Sequence, residues 1–142
     1  MKKLNLICIL LIVLFVTGCS SKKELICNQT ISNVSVDMIL GYDGEEGKEK
    51  LVSISFREDV DFSSYSDSEF DQIKYVDYCP YAKQAVGELS DAFTNCKQSF
   101  SGKILTITGD FEVSKIPNSE EGMKKSMSEA KTSLETQGFK CK

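Results

Sequence analysis

Residues 34–42 read Val-Ser-Val-Asp-Met-Ile-Leu-Gly-Tyr, so that Val34, Val36, Met38, Leu40 and Tyr42 alternate with mostly polar positions. A period of two places these five side chains on one side of a pleated strand. Such a strand needs a cover on one face and can leave the other in water, which is the habit of an antiparallel sheet. Two neighbouring segments behave alike. Residues 24–31 read as a strand, and Val52, Ile54 and Phe56 alternate with Ser53, Ser55 and Arg57 in another. Ser32-Asn33 and the run Asp43-Gly44-Glu45-Glu46-Gly47 supply the turns between them. Three strands with short connections predict an antiparallel meander.

Helical signals follow. Ser66 and Glu69 make a capping box, and Phe70, Ile73 and Val76 recur at near-helical spacing until Pro80, where a kink or break is expected. Ala82, Ala85, Val86, Leu89, Ala92 and Phe93 then repeat at three- and four-residue steps, which predicts an amphipathic helix over residues 80–93. Ser101-Gly102 is a turn. Leu105, Ile107, Phe111 and Val113 share one face of a later strand that Pro117 ends. Asn118 with Glu121, or Ser119 alone, can cap a last helix with an apolar seam of Met123, Met127, Ala130 and Leu134, and Gly138 is its stop. The methionines of that seam are read as contact with the sheet. The expected fold is α+β: one domain in which an antiparallel sheet, a meander plus later strands, packs against two helices.

The amino terminus fixes an address. Lys2 and Lys3 precede an apolar run over residues 4–16 that only Asn5 interrupts. A spanning helix needs about 20 apolar residues, so this run has the length of a signal peptide and not of a membrane span. It ends Val16-Thr17-Gly18-Cys19, which resembles the bacterial lipobox. The lipobox implies cleavage before Cys19 and a diacylglyceryl group on its sulfur. The expected organisation is a signal peptide (1–18), a lipidated cysteine and tether (19–23) and an α+β domain (24–142). Two acyl chains anchor stably where one does not, and Lys22 and Lys23 would each add roughly 1 kcal/mol beside anionic head groups. The membrane, reached through Cys19 on the extracytoplasmic face, is thus the first expected partner.

Composition closes several functional classes. Cleavage leaves 124 of 142 residues, one domain with room for a real core. It removes Lys2 and Lys3, so 15 basic residues face 21 acidic ones and the net charge becomes −6. No basic stripe suits nucleic acid. Histidine is absent, which excludes Ser-His-Asp and Cys-His catalysis and histidine-bound metals. No Gly-rich phosphate loop occurs. No catalytic residue, metal ligand or cofactor is therefore assigned. Asp59, Asp61, Asp67, Glu69 and Asp71 crowd one region, and Asp43, Glu45 and Glu46 another, but the glycine and terminal glutamate of a calcium loop are missing. Both groups are read as solvated surface.

Cys8 falls in the discarded segment, and Cys27, Cys79, Cys96 and Cys141 remain after lipidation of Cys19. An even number in an exported domain predicts two disulfides, with three connectivities open. No close Cys-x-x-Cys pair supports zinc or thioredoxin-like chemistry.

The start of the domain, "LICNQT", and its end, "MKKSMSEAKTSLETQGFKCK", resemble the YehR-like bacterial lipoproteins, a family defined by a domain of unknown function. The order of a strand meander, a helix, further strands and a final helix fits that family as well. The resemblance carries no activity. It does imply a Cys27–Cys141 disulfide, because members carry cysteines at those two places. Cys79–Cys96 is then the remaining pair. A straight helix over residues 80–93 would be about 20 Å long, against the ~7 Å that a disulfide allows between Cα atoms. So the helix is shorter, or the next strand runs back beneath it, or these thiols stay free. The expected function is a membrane-anchored, non-catalytic binding or interaction module with an envelope protein as its partner. The alternatives are a small envelope enzyme using carboxylates, and a structural or stress lipoprotein without a specific ligand.

Overall fold

The meander is built from β1 (Lys23–Ile31), β2 (Val34–Asp43) and β3 (Lys50–Asp61), each antiparallel to the next. The computed structural model describes residues 22–117 and 126–142, and everything below concerns those residues. A second hairpin, β4 (Phe93–Ser101) and β5 (Ile104–Phe111), turns at Gly102, whose φ of 59° suits a residue without a Cβ. A two-residue strand, β6 (Lys140–Cys141), ends the chain. The six strands form one antiparallel sheet in the order β4-β5-β3-β2-β1-β6. Three α-helices are described where the sequence predicts two: α1 (Asp67–Ile73), α2 (Cys79–Ala85) and α3 (Met127–Thr136). The result is a single α+β domain.

One face of the sheet carries the core. Leu25, Cys27, Leu40, Tyr42, Ile54, Phe93 and Phe111 are buried there, with Ala130 and Leu134 of α3 upon them and Ala82 of α2 packed against the same cluster. Two bulges adjust which side chains join it. Gly41 stands opposite Ser53 but Tyr42 opposite Leu51, so Val52 is an extra residue in β3. Leu51 therefore faces the core while Val52 is 55% exposed, a correction to the strict alternation read from the sequence. In β4, Thr94 pairs with Asp110 and Lys97 with Thr108, so Asn95 and Cys96 together oppose Gly109. Asn95 takes φ 55° to make this bulge. The slip changes parity, and Cys96 packs against the same core as Phe93.

The helix expected over residues 80–93 is not formed. α2 ends at Ala85, Gly87 adopts φ 58°, Gly87–Leu89 make a 3-10 turn, and Phe93 opens β4. Ala82, Val86, Leu89, Ala92 and Phe93 all reach the core, but from a helix, a turn and a strand in succession. Their spacing imitated one helical face. Pro80 opens α2 within its first turn, where its missing N–H costs nothing, and does not interrupt an existing helix. Val113, expected in the later strand, lies in a 3-10 turn, Val113–Lys115, after β5 has ended at Phe111.

The Ser66–Glu69 capping box forms as predicted: the Ser66 N–H donates to Glu69 Oε2 at 2.8 Å, and the Glu69 N–H donates back to Ser66 Oγ at 3.3 Å. α3 starts with its own box, in which the Ser126 N–H donates to Glu129 Oε2 at 3.1 Å. Asn118, Ser119, Glu121 and Met123, named above for this helix, lie outside the described residues. Gly138, at φ 95°, follows its end.

The Tyr42 side chain is fully buried and its hydroxyl has no hydrogen-bond partner among the described residues. Burial and the Glu49 charge push its pKa up to about 12. A buried hydroxyl without a partner costs about 1–3 kcal/mol. Tyr42→Phe should therefore leave thermal stability unchanged or raise it by up to about 1 kcal/mol in a denaturant titration. A loss would mean that the hydroxyl is bonded in solution.

Candidate functional site

Each feature singled out in the sequence has a definite place. Cys19 lies outside the described residues. Cys27 and Cys141 face each other across the β1–β6 ladder and are joined at a sequence separation of 114. Cys79, the first residue of α2, is joined to Cys96 with Cα atoms 5.8 Å apart. That bond becomes reachable because the helix is short and β4 runs back past its start. With all four sulfurs in disulfides, no thiolate set remains for a metal. No group of three or more Cys, Asp or Glu side chains among the described residues could hold a metal ion. No helix among them is long and apolar enough to cross a membrane.

The acidic region does not converge. Asp59 accepts from Thr106 Oγ1 at 2.6 Å and from Arg57 Nε at 3.1 Å. Partial burial pushes its carboxyl up, but these donors and the Arg57 charge outweigh that and hold it below the usual carboxylate range. Asp61 accepts from the Ser63 N–H, Asp67 pairs with Lys103, Glu69 serves the capping box and Asp71 pairs with Lys74. Asp43 at the end of β2 and Glu45 and Glu46 in the loop after it stand exposed. Five acids, each with partners of its own, act as local structure and not as one site.

What the sequence does not single out is the outer face of the sheet. The alternation that sends Leu40 inward sends Asp37 and Ile39 outward, and the neighbouring strands contribute Ser55, Arg57, Thr108 and Asp110. The register lines these up across strands. Asp37 stands beside Arg57, Arg57 beside Thr108, and Thr108 beside Lys97. One step along, Ile39 stands beside Ser55 and Ser55 beside Asp110. Asn95, at the β4 bulge, donates from Nδ2 to Asp110 Oδ2 at 3.0 Å. These residues line a hollow of about 620 Å³. Ile39 is 37% exposed in it, between an acid-base row and a second acid. The hollow holds charges of both signs, hydroxyls and one apolar patch, the makings of a binding surface. Among the described residues, neither Ser55 nor Thr108 in it hydrogen-bonds to a carboxylate or an amine.

The inner face holds a second cavity, of about 280 Å³, where the sheet meets α2. Val60, Phe62, Leu105 and Ile107 line its sheet side, and Tyr78, Tyr81, Ala82 and Ala85 its helix side. Glu58 opens into this apolar groove. It has neither a hydrogen bond nor an ion pair among the described residues, and burial pushes its carboxyl above the usual range. A signal for it was present: in Ile54, Phe56, Glu58, Val60 an acid occupies the apolar parity of a strand. A raised acid pKa means that the folded chain holds this proton more tightly than the unfolded one, so ionised Glu58 opposes folding at neutral pH. Glu58→Gln should raise the denaturation midpoint at pH 7, and the gain should fade as pH falls through the folded-state pKa towards the ordinary glutamate value. A gain that persists unchanged at pH 3 would place its origin elsewhere.

No protein-family model matches the chain, and neither a curated protein nor a solved structure matches it. The functional reading therefore rests on the chain's own residues and on the surfaces that its fold builds.

Proposed function

We propose that the chain is a bacterial envelope lipoprotein, anchored through a diacylglyceryl group on Cys19, whose domain is a non-catalytic binding module. Its working surface is the outer hollow of the sheet. The observation that carries this reading is the cross-strand row Asp37–Arg57–Thr108–Lys97 beside the exposed Ile39. Acids and bases set side by side around an apolar centre select a partner by complementary charge. The resemblance of both chain ends to YehR-like lipoproteins supports the same reading, as does an exported compartment in which two disulfides can persist. β1 begins at Lys23, so only a few residues separate Cys19 from the sheet, at most about 3.6 Å each when extended. The hollow would then work within a short distance of the membrane, and an envelope protein is the proposed partner.

In-cell crosslinking of the lipidated chain, followed by mass spectrometry, tests this. Cys19→Ala serves as the unanchored control and Lys97→Glu as the altered surface. The expected result is one repeatable envelope adduct that weakens when either change is made. Adducts indifferent to Lys97→Glu would move the partner off this face, and no adduct with several reagents would remove the module.

A further inference from the structure

The groove around Glu58 lies on the opposite side of the sheet from the hollow, and its chemistry is of another kind. Its lining is aliphatic and aromatic except for one carboxylate. An ionised carboxylate in such surroundings has lost much of its water without gaining a counter-charge, an arrangement that costs free energy until a cation arrives. Nothing in the described chain supplies that cation.

The helix side of the groove is fixed in advance. Cys79–Cys96 ties the start of α2 to β4. Gln98 accepts the Tyr78 N–H at 2.6 Å and donates from Nε2 to the Val76 carbonyl at 2.9 Å. The Tyr78 hydroxyl donates to the Ile73 carbonyl at 3.1 Å. Tyr78 and Tyr81 stand with ring centroids 6.4 Å apart, tilted by 52°, and Tyr81 is 62% exposed at the mouth. A wall held this firmly needs little ordering when a ligand enters.

The occupant follows from the lining. A divalent metal wants at least three or four protein ligands as zinc, or six or more oxygens as calcium, and the groove offers one carboxylate. A neutral apolar molecule would bury Glu58 still deeper without neutralising it, and an anion would be repelled. An organic ammonium satisfies every surface: its charge meets Glu58, its apolar body meets Val60, Leu105 and Ile107, and tyrosine faces attract cations. At the ~30 Å³ that a water molecule occupies in the liquid, the groove holds a body of roughly ten non-hydrogen atoms.

We infer that this groove is a binding site for a small organic ammonium ion, its charged nitrogen at Glu58 and its apolar body between the sheet and the Tyr78–Tyr81 wall. Gln29, two pairings across from Glu58 in the register, is six residues along β1 from Lys23. At ~3.3 Å per residue the site stands about 20 Å along the sheet from the start of β1.

The full-length chain, with both disulfides intact, is titrated calorimetrically with hexylamine, hexanol and hexanoate at pH 7. Hexylammonium should bind at least tenfold more tightly than hexanol, with hexanoate weakest. Glu58→Gln should bring the amine down to the level of the alcohol. Ala85→Phe, made at an exposed helix position, should fill the groove and abolish binding of both, with circular dichroism showing that each variant is folded. The inference is overturned if amine and alcohol bind alike, if neither binds, if Glu58→Gln keeps the preference, or if Ala85→Phe leaves amine binding intact. None of these results bears on the outer hollow.

Discussion

Replacing Cys27 and Cys141 together by alanine should lower the unfolding free energy by about 4–5 kcal/mol. The bond joins residues at a sequence separation of 114, so its removal frees nearly the whole domain in the unfolded state. Cys79–Cys96 closes a separation of only 17 residues and should contribute about 3 kcal/mol by the same reasoning. For domains with 5–15 kcal/mol in total, the first loss is a large share and moves the melting temperature by on the order of 15 °C. Packing acts in the same direction, because Cys27 is fully buried and β6 meets β1 only around it. Chemical denaturation of the two double variants, beside the wild type with and without reductant, reads the difference. A smaller loss for the Cys27/Cys141 variant than for Cys79/Cys96 would contradict the loop-length account.

Gly109→Val carries the second large effect, and here two physical terms predict opposite signs. Glycine is a poor strand residue, so valine should stabilise β5 by up to about 1 kcal/mol on propensity and unfolded-state entropy. Gly109 faces the core, however, where a Cβ would lie 2.7 Å from the Phe56 ring and overlap the Phe93 ring. Phe56, Phe93 and Phe111 pack with centroids 5.4–5.9 Å apart, and the missing side chain of Gly109 is the space they use. None of the three can retreat without pushing another. The clash should win and cost about 3 kcal/mol. A denaturation midpoint equal to or above the wild type would show that the aromatic cluster is looser than its geometry implies.

How far the sequence revealed this fold varied along the chain. The meander was legible because alternation, turn glycines and strand length agreed over 30 residues of local signal. The Ser66–Glu69 box was legible because a cap is a contact three residues long. The stretch from Pro80 to Phe93 misled, since apolar residues at three- and four-residue steps serve one core equally well from a helix, a 3-10 turn and a strand. Gly87 hinted at the break, although a single glycine within a helical pattern is weak evidence, and so did the span that a Cys79–Cys96 bond would have to cross along a straight helix. β4 and β6 were missed for a different reason. Between Phe93 and Phe100, β4 is mostly polar and broken by its bulge, so no alternation shows, and β6 is two residues held in place by β1 and a disulfide. Bulges at Val52 and Asn95 depend on the partner strand, which no local window contains.

The candidate sites show the same division. Cysteines and acids drew attention as residue types, yet the acids found separate partners, most of them within a few residues of chain, with Asp59 reaching Thr106 of β5 and Asp67 reaching Lys103 in the β4–β5 turn. The hollow was hidden in the polar half of an alternation read only for its apolar half. Arg57, Lys97 and Asp110 come from three strands, and only the register makes them neighbours. Glu58 was the one residue whose oddity could be seen in a line of sequence, as an acid on an apolar parity. Tyr78 and Tyr81, which line the same groove, lie about 20 residues away and are held there by Cys79–Cys96 and by the Gln98 hydrogen bonds.

The outer hollow, the short tether and the compartment that keeps both disulfides oxidised all depend on processing at Cys19. The most direct measurement is the mass of the amino-terminal peptide of the protein extracted from its host's membranes. The account predicts a chain that starts at Cys19 and carries a diacylglyceryl group on that residue, while Cys19→Ala leaves the membrane fraction without it. A chain that starts at Met1 or at any other residue, with Cys19 unmodified, would contradict it.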